Sequence, residues 1–349
     1  MKKVFFRCDS SFDIGSGHVI RCLTLANFLK KKGFSTTFLC RKVEGNLFKV
    51  ILNNDHKLVA LSNNKSKRNF SKNDALEVIK KVKNLNLTDG WMVVDHYLLN
   101  KDWEKKISSY FSKLFIIDDL YDRPHYGNIL LNQNYHPGVK SRYRKILPVK
   151  TKMLLGPKYA LLSPDYKLAR QLKKFNRKKN LTKIMIFFGA SDNKNQTLRC
   201  LNILSKINLK LLKIDVVIGS ANRKKNLIQK IVNKMGNAKL HVQISYLCNL
   251  MRKTDLYLGS GGTSTWERCS LGLPSIVIST GKNQVRQNEH LSKKGVIEYL
   301  GNSESVSDKN IIRVLQKFFY EYDSRNMSKK ALKITSGNGA ELVSKEFLK

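Results

Sequence analysis

Short apolar runs alternating with helical patterns restrict this chain more than any other feature. "KVFFRCD" (3–9), "STTFLCR" (35–41), "GWMVVDHY" (90–97) and "KLFIIDDL" (113–120) each read as a buried strand. Between the first two, "GHVIRCLTLANFLKKKGF" places Val19, Cys22, Leu23, Ala26 and Leu29 at helical spacing, and Gly33 ends the helix. "DALEVIKKVKNL" (74–85) is amphipathic in the same way. Strands that alternate with helices predict a parallel sheet and a Rossmann-like half.

The pattern then restarts. "KIMIFFGASD" (183–192), "LKIDVVIGS" (212–220), "DLYLGSGGTST" (255–265) and "PSIVIST" (274–280) read as further strands with helical stretches between them. The expected fold class is α/β and GT-B-like, with two Rossmann-like domains facing a central cleft. Residues 1–165 form the first domain and 182–325 the second. The charged stretch 166–181 reads as a linker, and 326–349 as a terminal helical segment broken at Gly337–Gly339. A length of 349 residues with 42% hydrophobic content supports two cores.

No apolar run reaches the roughly 18 residues of a membrane span, so no membrane insertion is expected. The opening "MKKVFFRCDSS" has too short an apolar stretch for a signal peptide, which predicts a cytoplasmic protein. Cys8, Cys22, Cys40, Cys200, Cys248 and Cys269 show no CxxC pair and no metal-ligand spacing, so no disulfide framework and no metal site are expected. The net charge of +39 is open to two readings. It suits a polyanionic partner such as nucleic acid, yet no nucleic-acid-binding module accompanies clusters such as "KKK" (30–32) or "KKFNRKKN" (173–180). Spread over a surface, the same charge steers a small anion.

Two loops carry candidate chemistry. In "GSGH" (15–18), Gly15 and Gly17 flank a turn that delivers His18 to the first turn of a helix. The helix dipole there disfavours an imidazolium, leaving a ring able to accept a proton. In "GSGGTSTWER" (259–268), Gly261 and Gly262 lead from a strand into a helix, a geometry suited to a diphosphate. Ser264-x-x-Glu267 fits a capping box, and Glu267 fits a ribose acceptor equally well. Asp95-His96-Tyr97 and Asp118-Asp119 end strands, where they either line a crevice or cap turns. No DxD pair offers carboxylates for Mg²⁺, and no cofactor motif is present.

Taken in order, "RCDSSFDIGSGHVIRCLTLA", "VVDHY", "IDDLYDRPH", "ILLNQNYHPG", "LLGPKYALLSPDY", "FFGASDNKNQT" and "GSGGTSTWERCSLGLPSIVI" resemble the PseG family of pseudaminic acid biosynthesis. The resemblance runs from about residue 4 to about residue 295. It implies a GT-B enzyme, related to MurG-like glycosyltransferases, that hydrolyses UDP-2,4-diacetamido-2,4,6-trideoxy-β-L-altropyranose without a metal. Water would attack the anomeric carbon with inversion and C–O cleavage, releasing UDP and the free sugar used in flagellin and cell-surface glycosylation. Carried onto this chain, the base is His18, and Tyr97 lies beside the sugar. Ser264, Thr265 and Glu267 hold UDP, and Asn283 and Gln284 lie near sugar and phosphates. Ala190 stands where the family more often has glycine. The competing expectations are a glycosyltransferase, a hydrolase of a related UDP-diacetamido sugar and, more distantly, a basic nucleic-acid-binding protein.

Overall fold

The computed structural model describes residues 2–63, 69–172, 181–207, 212–220, 222–321 and 323–349. It divides into two compact units, Met1–Leu161 with Asn338–Lys349, and Leu162–Gly337.

The first unit runs β1 (Lys3–Cys8), α1 (Gly17–Lys30), β2 (Ser35–Arg41), α2 (Phe48–Asn53), β3 (Lys57–Leu61), α3 (Phe70–Asn84), β4 (Trp91–Asp95), α4 (Lys101–Ser108), β5 (Lys113–Ile117), β6 (Ile129–Asn132), α5 (Val139–Ile146) and β7 (Lys152–Leu155). Its seven strands lie in the order β3-β2-β1-β4-β5-β6-β7 and every neighbouring pair is parallel. Strand order therefore reverses between β1 and β4. On one face, Val4, Phe6 and Cys8 pack against Cys22, Ala26 and Leu29 of α1. On the other, Phe5 packs with Val78 and Val82 of α3 and with Trp103 and Ile107 of α4. Both faces are dry, which is why these strands read as nearly continuous apolar runs.

Arg7 interrupts that run and is fully buried. Its guanidinium donates to Asp9 at 2.7 Å and to Asp74 of α3 at 2.5 Å, and Asp74 also accepts from Arg41 and, at 2.9 Å, from Trp103 Nε1. A charge inside a strand is tolerated here because paired carboxylates surround it.

The second unit runs α6 (Pro164–Gln171), β8 (Lys183–Phe187), α7 (Gln196–Lys206), β9 (Lys213–Ile218), α8 (Lys225–Lys234), β10 (Ala238–Val242), α9 (Leu247–Arg252), β11 (Leu256–Ser260), α10 (Ser264–Ser270), β12 (Ser275–Ser279), α11 (Lys282–Lys293), β13 (Glu298–Asn302), α12 (Asp308–Tyr320) and α13 (Arg325–Leu332). Its six parallel strands follow the order β10-β9-β8-β11-β12-β13, reversing between β8 and β11. Ile184, Ile186, Val216, Leu258 and Ile276 form its core with Leu201 and Leu204 of α7 and Leu315 of α12.

The chain divides differently from the sequence boundaries. Residues 166–171 of the expected linker lie in α6 of the second unit, where Arg170 donates to the carbonyls of Ser270, Leu332 and Thr335. Residues 173–180, with their cluster of basic side chains, lie outside the described residues. The expected terminal segment is split at the anticipated glycine break. α13 belongs to the second unit, whereas α14 (Gly339–Ser344) and a 3₁₀ turn (Lys345–Leu348) belong to the first, where Phe347 meets Trp91 and Phe115 at 4.5 and 5.1 Å.

After β5, the turn 118–126 is fixed by a buried ionic cluster. His125 Nδ1 donates to Glu104 at 2.6 Å, and its Nε2 lies at ion-pair distance, 3.7 Å, from Asp118. Burial opposes the imidazolium, but Asp118 and Glu104 overcome it and raise its pKa to about 9. A raised folded pKa gives stability that is complete below about 6.5 and is lost as pH rises through 9. The unfolding free energy of wild type should therefore exceed that of His125→Gln by about 3 kcal/mol more at pH 6 than at pH 10. Urea titrations at several pH values check this, and a pH-independent difference would refute it.

Candidate active site

In each unit the candidate residues gather at the carboxyl ends of the strands where strand order reverses. Open parallel sheets part there, because the connecting helices leave toward opposite faces.

In the first unit, β1 is followed by a loop closed by a bridge between Ser11 and Gly15. Gly15 has φ +81°, a left-handed conformation that glycine adopts without a Cβ clash. Gly17 opens α1 and His18 follows, only 7% exposed. His18 Nδ1 lies 2.6 Å from Asp95 Oδ1 at the end of β4. Arg21, one turn further along α1, donates to Asp95 through Nε at 2.6 Å and Nη2 at 2.5 Å. Its Nη1 donates to Asp119, after β5, at 2.8 Å. Asp119 also accepts from the Tyr97 hydroxyl and from Asn134 Nδ2, both at 2.9 Å. The Tyr97 ring meets the His18 ring edge-on, with centroids 4.6 Å apart.

Burial alone would raise the Asp95 pKa, but Arg21 and His18 hold it well below the usual carboxylate range. An ionised carboxylate only accepts, so we assign the His18 proton to Nδ1. The other ring nitrogen, Nε2, makes no hydrogen bond among the described residues. Burial and Asp119 push the Tyr97 phenol up, which keeps it a neutral donor.

Asp118 and Asp119 divide their roles. Asp118 accepts from the N–H groups of Leu120 and Tyr121 and from the Tyr143 hydroxyl at 2.6 Å, making it a turn residue. Only Asp119 joins the His18 cluster.

In the second unit, β11 ends at Ser260 and passes through Gly261 and Gly262 into α10. A Cβ on Gly261 would collide with the Asn288 amide, so the glycine permits close packing of α11 on the loop. The N–H groups of Gly262, Thr263 and Ser264 have no hydrogen-bond partner among the described residues. The capping box does not form: Thr263 occupies the cap position without a side-chain bond, and the half-buried Glu267 carboxyl lies near the Tyr166 hydroxyl of α6. Burial pushes Glu267 up to about 7, against the opposing effects of Tyr166 and Arg268. Thr265 is fully buried, its hydroxyl accepting from Arg268 Nη2 at 3.1 Å.

Asn283 and Gln284 lie in the first turn of α11. Gln284 Oε1 accepts from the Thr280 N–H at 3.1 Å, and its Nε2 lies 3.5 Å from the Cβ position of Gly262. The loop after β8 places the Ala190 methyl against Gly219, which has no side chain to oppose it.

Sequence reasoning missed Arg21, Arg268, Gln287 and Asn288. Spacing held a signal for the first, since His18 and Arg21 share a helix face at i and i+3. For the last two, Gln284, Gln287, Asn288 and Leu291 form the inward stripe of α11, but three of the four are polar, so apolar spacing does not mark them.

No protein-family model matches the chain. An uncharacterized protein of Methanocaldococcus jannaschii is 29% identical over 282 residues, 79% of this chain and 55% of that protein, so the match spans about half of its length. The UDP-2,4-diacetamido-2,4,6-trideoxy-β-L-altropyranose hydrolase of Campylobacter jejuni is 28% identical over 298 residues, 85% of this chain and 99% of that enzyme. The chain is similar to a nucleotide-sugar hydrolase. The spore coat polysaccharide biosynthesis protein SpsG of Bacillus subtilis is 23% identical, with 95% and 93% of the two chains covered. Among solved structures, Acinetobacter baumannii MurG superposes with a TM-score of 0.68 at 10% identity, over 100% of this chain and 99% of that one. The UDP-GlcNAc 2-epimerase of Neisseria meningitidis, solved with UDP-GlcNAc, gives 0.61 at 15% identity over 99% of each. The fold is thus two parallel-sheet α/β domains of the GT-B kind. Among the described residues, no helix is long and apolar enough to cross a membrane.

The Arg21 guanidinium bridges two buried carboxylates, so its loss strands both. Arg21→Met should lower the unfolding free energy by about 3–5 kcal/mol. Denaturant titration checks this, and a change below 1 kcal/mol would show that the bridge contributes little.

Proposed function

We propose that this chain hydrolyses a UDP-linked 2,4-diacetamido-2,4,6-trideoxyhexose, releasing UDP and the free sugar. The β-L-altropyranose compound named for the similar Campylobacter enzyme is the first substrate to test. One observation carries the reading: in a chain that aligns with 99% of that hydrolase, His18 offers an unpaired Nε2 at the point where strand order reverses, with Asp95 fixed behind it.

His18 Nε2 takes a proton from water as the water oxygen bonds to the anomeric carbon. The bond from that carbon to the diphosphate oxygen breaks with its electron pair, and the configuration inverts. Asp95 stabilises the imidazolium that forms and keeps the ring oriented. Tyr97 bounds the water and sugar side, and Gly15 and Gly17 let the substrate approach α1 closely.

In the second unit the free N–H groups of the Gly261–Gly262 loop and the Ser264 hydroxyl bind the diphosphate, with Gln284 and Asn283 beside them. Thr265 lies beneath this surface and supports it through Arg268. Glu267 accepts the ribose hydroxyls. Diphosphate is a weak base and leaves without a strong general acid, provided that donors meet its growing charge. The excess of basic residues adds a positive field that steers an anionic nucleotide sugar toward the protein.

The likeness to MurG favours a second reading, transfer of the sugar to an acceptor, because the same fold carries both chemistries. The hydrolytic reading makes His18 essential to turnover only. His18→Asn should lose about 10²–10⁴-fold in kcat while UDP affinity stays unchanged. Steady-state kinetics with UDP titration tests this; undiminished kcat would remove His18 from the reaction.

A further inference from the structure

Arg268 is the one fully buried arginine of the second unit among the described residues, and it has no carboxylate within 4 Å there. Arg7, Arg21 and Arg41, the comparably buried arginines of the first unit, each bridge two carboxylates. Arg268 Nη1 instead donates to the Ser260 carbonyl at 2.8 Å and to Ser264 Oγ at 3.4 Å. Nη2 donates to Thr265 Oγ1, and Nε is buried without a partner. The guanidinium lies over the Tyr257 ring at 4.1 Å, whose π face is its main compensation.

A buried cation without a salt bridge is costly, which makes its position in the fold informative. Every hydrogen-bond acceptor of Arg268 belongs to the segment Ser260–Thr265, so the charge lies directly beneath the glycine loop. Because a guanidinium only donates, Ser264 Oγ is held as an acceptor on that side and its own proton is free to point elsewhere. The Tyr257 hydroxyl, the other group near Ser264 Oγ at 3.4 Å, spends its proton on the Phe187 carbonyl.

We propose that Arg268 is a positioning residue whose unpaired charge, buried under the Ser260–Thr265 loop, makes that loop selective for a diphosphate and stabilises it as a leaving group. The inference rests on the nucleotide-sugar reading. It adds that affinity for the phosphates, separately from the nucleoside, is set by a side chain that does not touch them. The loop hydroxyls and N–H groups make the contacts, and Arg268 supplies the field they transmit.

The test compares UDP and uridine binding to the full chain by calorimetry or NMR titration. Arg268→Gln, which keeps a donor for the Ser260 carbonyl but removes the charge, should weaken UDP about 30-fold and leave uridine unchanged. Arg268→Lys, which keeps the charge, should hold the UDP-to-uridine affinity ratio within about threefold of wild type. If UDP and uridine affinities fall together in the glutamine variant, Arg268 is only structural and the proposal is wrong. Should that variant fail to fold, a folded lysine variant that has lost the ratio overturns it equally. A wild-type chain that binds uridine but prefers UDP no more than uridine also overturns it. Absence of binding to either ligand would sink the nucleotide-sugar reading itself.

Discussion

The Arg21 guanidinium, buried between two carboxylates, is the interaction on which the first site depends. Its Nε and Nη2 hold Asp95 at the end of β4, and its Nη1 holds Asp119 beyond the end of β5. Each carboxylate then directs a second group: Asp95 takes the Nδ1 proton of His18, and Asp119 takes the proton of Tyr97. One side chain on α1 thus fixes the histidine tautomer and the tyrosine orientation together. The arrangement is stable because the guanidinium partners each buried carboxylate, since an unpaired member would bear most of a desolvation penalty.

The second site is built on the opposite electrostatic plan. Its buried arginine has an aromatic face and a carbonyl for company, not a carboxylate. Carboxylates held by an arginine suit the orienting role proposed for the first unit. An arginine without a salt bridge suits the anion-binding role proposed for the second unit. The contrast between Arg21 and Arg268 therefore matches the division of labour proposed for the two α/β units, base on one and nucleotide on the other.

Much of the fold was legible because parallel strands buried on both faces leave unbroken apolar runs, as at 91–94 and 114–117. Their short connections to periodic helices then left few alternatives. The loops at 15–18 and 259–265 were legible for a different reason: glycines beside polar residues mark where backbone must turn or be approached. Pairings were not legible. Asp95 and Arg21 lie 74 residues apart, and a carboxylate at a strand end looks the same whether it caps a turn, as Asp118 does, or receives an arginine. The Ser264-x-x-Glu267 spacing was equally mute, because the helix begins one residue earlier than it implies, with Thr263 and not Ser264 at the cap. Residues 166–171 looked like linker because their polar face dominates composition, while Tyr166 and Ala169 pack inward.

The central claim is that water, activated by an orientated histidine, replaces the diphosphate at the anomeric carbon. Incubating the chain with the UDP-diacetamido sugar in ¹⁸O-water, without any acceptor, and following products by NMR and mass spectrometry tests it most directly. The account predicts free sugar equal in amount to UDP, labelled at the anomeric oxygen and released in the inverted configuration, with unlabelled UDP. Label appearing in the UDP, or no sugar released until an acceptor is supplied, would contradict it.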